Sequence, residues 1–193
     1  PPRSTLFPYT TLFRSLDEDI LIIDNIKVFA NPDPVRLQMN MIASCQKGNL
    51  KLEVNGKTVE VGKNDIFVCP PNSVVDIIEF SSDFTCVALC VTNHGMQNIL
   101  RSHINVWNRA MYVDKVSVIR MTSEEMLFYA KFTELVRLCL DEERMEHSSW
   151  NPYRREIVET LLKTALLALC NAFTTEMADV AKNNSRSEER RVG

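Results

Sequence analysis

The sequence predicts an α+β chain: a strand-rich half folded as a small antiparallel barrel or sandwich, then a second half of two long helices. Three observations predict it. Short apolar runs separated by turn residues, roughly eight of them at sandwich-like spacing, fill residues 20–91. After Thr92 the apolar period changes from two to three or four. At 193 residues the chain fits one domain, or one domain with an appendage.

The strands follow in order. ILIIDNIKVFA (20–30) is rich in β-branched residues and broken by a turn signal at Asp24-Asn25. NPDP (31–34) is a loop, because each proline disfavours helix in the residue before it. RLQMNMIASC (36–45) alternates, with Leu37, Met39, Met41, Ala43 and Cys45 on one face. Gln38, Asn40 and Ser44 take the other, and Ile42 is the exception. In GNLKLEVNGKTVEVGKNDIFVCPP (48–71), Leu50, Leu52 and Val54 alternate with Lys51 and Glu53. Asn55-Gly56 is the strongest local hairpin signal, since a type I′ turn needs two residues that tolerate positive φ. Val59 and Val61 continue the apolar face, IFVC (66–69) is a short third strand, and Pro70-Pro71 ends it. VVDIIEF (74–80) and FTCVALCV (84–91) complete the set.

The helical half opens with GMQNILRSHINVW (95–107), a short helix, and MYVDKVSVIRM (111–121), an extended link or a last edge strand. Thr122 or Ser123 then caps a long helix with Glu124 and Glu125 in its first turn. Its apolar face is read as Phe128, Phe132, Leu135 and Cys139. After a charged loop, Asn151-Pro152 starts the second helix. One ridge of that helix runs Ile157, Leu161, Ala165, Ala168 and Ala172, and another Val158, Leu162, Leu166, Leu169 and Phe173. Two ridges make a stripe wider than one packing partner requires, so the helix is expected to pack against the first helix and something else, for which a second copy of the chain is one candidate.

The chemistry of the chain is sparse. A net charge of −3 gives this segment no electrostatic reason to grip nucleic acid. The longest apolar stretch, LLKTALLALCNAF (161–173), is interrupted by Lys163, Thr164 and Asn171, so no membrane span is expected. The six cysteines sit inside apolar segments and are expected as buried, reduced thiols of a cytoplasmic protein. His94, His103 and His147 lie in or beside the helical half, without the i,i+4 spacing of a ligand pair. No metal site, cofactor or catalytic nucleophile is therefore expected, and the chain is not expected to be an enzyme.

The first fifteen residues, PPRSTLFPYTTLFRS, resemble translated sequencing-adapter read-through, and RSEERRVG at the other end resembles the same. Residues 1–15 are accordingly expected to be disordered artefact, and 184–193 an artefact tail.

KGNLKLEVNGKTVEVGKNDIFVCPPNS (47–73) and WNPYRREIVETLLKTALLAL (150–169) together resemble the N-terminal half of AraC-type bacterial transcription regulators. The first matches the strand, NG turn, strand, "ND", strand and proline order of that family's metal-free cupin; the second matches its long linker helix. The resemblance implies a metal-free cupin-like β-barrel, or jelly roll, at 16–121 that binds an effector, followed by a helical hairpin at 122–183 that dimerises. It implies a homodimer, a small-molecule effector such as a sugar or another metabolite, and DNA contact only through a missing C-terminal helix-turn-helix domain. In such a cup, Arg36, Gln38 and Asn40, read as sharing one strand face, are candidate ligand anchors, with His94 at the exit of the last strand. Leu135, Leu161, Leu162, Leu166 and Leu169 are the candidate dimer contacts, although packing within the hairpin would use the same residues. Two alternatives stand beside this: a stand-alone cupin enzyme, such as a sugar isomerase or dioxygenase, and a metabolite-binding protein without a DNA partner.

Overall fold

The computed structural model describes residues 13–16, 18–24, 26, 33–141 and 151–192, with side chains of the last helix described through Thr175. Ten strands are present among these residues: β1 (Phe13–Leu16), β2 (Ile20–Ile23), β3 (Val35–Arg36), β4 (Asn40–Lys47) and β5 (Leu50–Val54), then β6 (Lys57–Val61), β7 (Asp65–Cys69), β8 (Val74–Phe80), β9 (Thr85–Val91) and β10 (Val118–Arg120). They form two antiparallel sheets. One has six strands in the order β1-β2-β9-β4-β7-β10, the other four in the order β3-β8-β5-β6. The sheets are not closed into a barrel, which corrects the expected barrel: β6 and β10 remain edge strands, and the structure is an open sandwich.

Helices α1 (Asn93–Leu100), α2 (Ile104–Asn108), α3 (Ser123–Leu140) and α4 (Arg154–Val192) add a third layer. One hydrophobic core lies between the sheets and holds Met41, Ala43, Cys45, Leu52, Phe67 and Ala88. The other lies between the six-stranded sheet and the helices and holds Ile42, Ile66, Val68, Trp107, Leu166 and Phe173. The six-stranded sheet is thus covered on both faces, so β4 is buried from Asn40 through Cys45 and every residue of β7 is buried. The half-buried alternation read for 36–45 fails for this reason. Ile42 is no exception but belongs to the helix-facing set, and Arg36 stands on a separate strand of the other sheet.

The β5–β6 hairpin forms as the sequence demands. Leu50 pairs with Val61 and Val54 with Lys57 around Asn55 and Gly56, whose φ angles are 50° and 81°. β10 is an edge strand, pairing Ile119 with Ile66 and Arg120 with Asp65. Its end runs straight into α3 through a capping box: the Thr122 N–H donates to Glu125 Oε2 at 2.7 Å, and the Glu125 N–H to Thr122 Oγ1 at 3.2 Å.

The boundary placed at residue 15 falls inside β1, whose Ser15 pairs with Leu21; residues 1–12 lie outside the described residues. At the other end α4 continues helically to Val192, through the segment expected as a tail. Arg154–Thr175 is also long and apolar enough to cross a bilayer, contrary to the expectation from its interrupted apolar run. Its second ridge (Val158, Leu162, Leu166, Leu169 and Phe173) is at most 1% exposed, packed on α3 and the six-stranded sheet, which accounts for the apolarity.

Candidate functional site

A ligand-binding cup would be the space between the sheets. Among the described residues that space is nearly filled: the cavity bounded by Leu37, Met41, Leu52, Phe67, Val75 and Ile77 is about 20 Å³. One water-sized sphere occupies that much, against the several hundred Å³ of small-molecule sites. A cavity of the same size lies between the six-stranded sheet and the helices, beside Ser44, Tyr129 and Leu166.

Ligand-sized space lies instead along the seam where β6 leaves the sandwich open beside β7 and the approach to β10. Two grooves flank it. One, of about 540 Å³, is ringed by Lys51, Glu60, Asp65, Glu79 and Arg120. Asp65 is buried there at 2% exposure. Its Oδ2 accepts from the Gly62 N–H at 2.8 Å, and its Oδ1 meets Arg120 Nε at 3.3 Å. The other groove, of about 490 Å³, lies between the β5–β6 turn, the Pro70-Pro71 loop and a connector from Met111 to Ser117. That connector begins as a π-helical turn, Arg109–Val113, and continues through Lys115 at φ 52°. Partial desolvation raises the Tyr112 phenol above its ordinary range.

The structure does not bring the nominated anchors together. Arg36 is exposed on β3, with Nη1 3.5 Å from the Asn72 carbonyl, and Gln38 is exposed in the bend before β4. Asn40 is 1% exposed and faces the helices. Its Nδ2 donates to the Val91 carbonyl at 3.1 Å and Asn93 Oδ1 at 3.0 Å, while its Oδ1 accepts from Trp107 Nε1 at 3.2 Å. These bonds fasten α1 and α2 to the sheet and leave Asn40 no direction toward a ligand. His94 is exposed in the first turn of α1, 3.0 Å from Asn98 Nδ2. His103 is exposed too, and His147 lies outside the described residues. Among the described residues no group of three or more His, Cys, Asp or Glu side chains is placed to hold a metal ion.

The six cysteines are buried and form no disulfide. Burial pushes the Cys45 thiol up to about 11 and that of Cys90 to about 12. Cys86 stands directly opposite Cys45 across β4 and β9, a neighbour no sequence spacing announces. Near the helices, Asp19 gathers two elements: Oδ1 accepts from Thr92 Oγ1 at 2.6 Å and Oδ2 from an Arg155 nitrogen at 3.2 Å. The Thr92 hydroxyl above all, with Arg155 and His94, holds its carboxyl below the usual range against a desolvation that opposes it.

The helical layer divides the dimer candidates. Leu162, Leu166 and Leu169 are buried inside the chain, and Leu161 is half-buried against the same core, so the first three have no surface for a second copy. Leu135 is exposed at 49%, and around it on α3 stand Leu127 at 61%, Phe128 at 43% and Leu138 at 42%. The inward face of α3 is Met126, Tyr129, Phe132, Val136 and Cys139. The face expected from sequence is therefore rotated outward by roughly a fifth of a turn, at about 100° per residue. Leu127 and Leu138 are the residues that the sequence reading passed over.

No family model and no curated protein matches the chain. The solved structures similar to it include AraC-like regulators and cupin proteins. Apo ToxT K231A from Vibrio cholerae superposes with a TM-score of 0.52 at 11% identity, over 83% of this chain and 59% of its own. The AraC-like transcriptional activator CuxR gives 0.40 at 12% identity, over 77% of this chain and 52% of its own. KdgF from a Halomonas species gives 0.33 at 15%, over 42% of this chain and 76% of its own. The chain thus spans little more than half the length of ToxT and CuxR. The ToxT likeness, at that identity, concerns the fold, and it extends beyond the sandwich into the helices.

Proposed function

We propose that the chain is the effector-sensing and homodimerisation module of an AraC-type bacterial transcription regulator, with DNA bound by a further C-terminal domain. The observation that carries this reading is the outer arc of α3, where Leu127, Phe128, Leu135 and Leu138 stand exposed around Lys131 on a helical layer docked to a sandwich. Four large apolar side chains on one exposed helical arc suit a self-complementary contact across a two-fold axis. The texture of residues 47–73 and 150–169 supports the family, and the fold shared with ToxT supports the union of sandwich and helices. In this reading the chain carries no catalytic step or cofactor, and it works in the cytoplasm where its DNA is.

The test is a fusion of residues 13–192 to a DNA-binding domain that represses a reporter only as a dimer, with sedimentation of the unfused chain alongside. Repression and a dimer mass are expected. Leu127→Glu with Leu135→Glu should weaken association at least about 100-fold, since burying each leucine is worth about 1.5–3 kcal/mol. A chain that stays monomeric at high micromolar concentration refutes the reading. Stoichiometric iron, manganese, zinc or nickel in the purified protein would favour a cupin enzyme instead.

A further inference from the structure

We propose that the groove between the β5–β6 turn, the Pro70-Pro71 loop and the Met111–Ser117 connector binds a small organic anion with an apolar body. Among the described residues the cavity between the sheets is only about 20 Å³, whereas this groove, at about 490 Å³, falls within the range of small-molecule sites. Val54, Val59, Pro71 and Met111 give it an apolar portion beside a half-exposed Tyr112, and Asn55, Thr58, Asn72, Ser73 and Ser117 supply neutral polar groups.

Charge selects the ligand class. Among the described residues two lysines, Lys57 and Lys115, line the groove, and no aspartate or glutamate does. The acid next in the chain, Asp114, is engaged by Arg109 at 3.3 Å. In a chain of net charge −3 this is a local reversal of sign. The groove at the other end of the seam shows the contrast, since there Glu60, Asp65 and Glu79 offset Lys51 and Arg120. An ammonium on a flexible stem at the rim of an apolar trough suits a carboxylate or phosphate head whose tail lies in the trough.

The backbone of the groove wall is irregular in two independent ways. The π turn Arg109–Val113 and the left-handed Lys115 are both costly conformations that concentrate at functional positions. The Val68 N–H donates to the Ser117 carbonyl at 2.8 Å, fixing the connector to β7 just before β10 begins. A ligand on this wall therefore lies one three-residue strand away from the N-terminus of α3. The proposal rests on the reading above only where it calls that ligand the effector.

The test uses the 193-residue chain, with binding followed by calorimetry and by amide chemical shifts. The probes are hexanoate, hexyl phosphate, neutral hexanamide and inorganic phosphate. Saturable binding of hexanoate or hexyl phosphate is expected, at least tenfold tighter than hexanamide or inorganic phosphate, with shifts at Val59, Tyr112 and Ser117. Lys57→Gln with Lys115→Asn should lose tenfold or more in hexanoate affinity and leave hexanamide unchanged. Asparagine at 115 tolerates the left-handed backbone, so the change removes charge without strain. Equal affinity for hexanoate and hexanamide, inorganic phosphate binding as well as hexanoate, insensitivity to the lysine pair, or shifts mapping elsewhere would each overturn the proposal. Anion binding by a strictly monomeric chain would uphold the groove while refuting only the module reading.

Discussion

Replacing Asn40 with alanine separates an anchor for a ligand from a clamp within the fold. Asn40 makes three hydrogen bonds at 3.0–3.2 Å, to Val91, Asn93 and Trp107. Trp107 is 1% exposed, so truncation strands its indole N–H away from water, whereas the buried Val91 carbonyl still faces the Asn40 backbone in the β4–β9 ladder. Asn93 is exposed, and water replaces its lost donor. A stranded buried group costs about 1–3 kcal/mol, so the variant should lose about 2 kcal/mol of stability. For a chain of this size that lowers Tm by roughly 4–8 °C. Asn40→Asp should be worse, because it keeps the acceptor for Trp107 but turns a buried carboxylate oxygen toward the Val91 carbonyl. Urea unfolding followed by circular dichroism gives the difference through the midpoint at constant slope. A loss below about 0.5 kcal/mol for Asn40→Ala, within the range of ordinary surface changes, would refute the clamp.

Leu166→Ala should cost about 2–5 kcal/mol, measured by the same unfolding, because Leu166 is fully buried in the core that α4 shares with the sheet. Tyr129→Phe removes only the hydroxyl that donates to the Ala165 carbonyl at 2.9 Å between α3 and α4, and about 1 kcal/mol should go with it. The depressed pKa of Asp19 contributes stability that is present above its ordinary value of 3.8 and lost as pH falls through the lower folded value. Asp19→Asn should therefore flatten the stability profile between neutral pH and pH 3, read as the difference between the two proteins' midpoints.

Legibility in the sequence followed the number of faces that each element buries. The β5–β6 hairpin was readable because one face is wet, so Lys51 and Glu53 alternate visibly with Leu50 and Leu52 around the Asn-Gly turn. The capping box at Thr122 and Glu125 was readable because it is local. β4 was misread because helices cover its second face, where apolar Ile42 and hydrogen-bonded Asn40 look like wet-face residues only if that layer is unknown. The same omission rotated the apparent face of α3: Phe128 and Leu135 are as apolar as Phe132, and nothing in spacing tells an inner stripe from an outer one. The groove beside Tyr112 was invisible because it joins the β5–β6 turn to a connector more than fifty residues later.

The double-sided sheet puts adjacent residues of β4 in separate environments. Met41 belongs to the core between the sheets and Ile42 to the core beneath the helices. One peptide bond thus joins two independent methyl reporters, the Met41 ε-methyl for the sandwich and the Ile42 δ-methyl for the helical layer. A perturbation that begins at the seam and ends at α3 would move one signal before or without the other. The order in which they move during a titration would give the direction of coupling through the sheet without any label added to the chain.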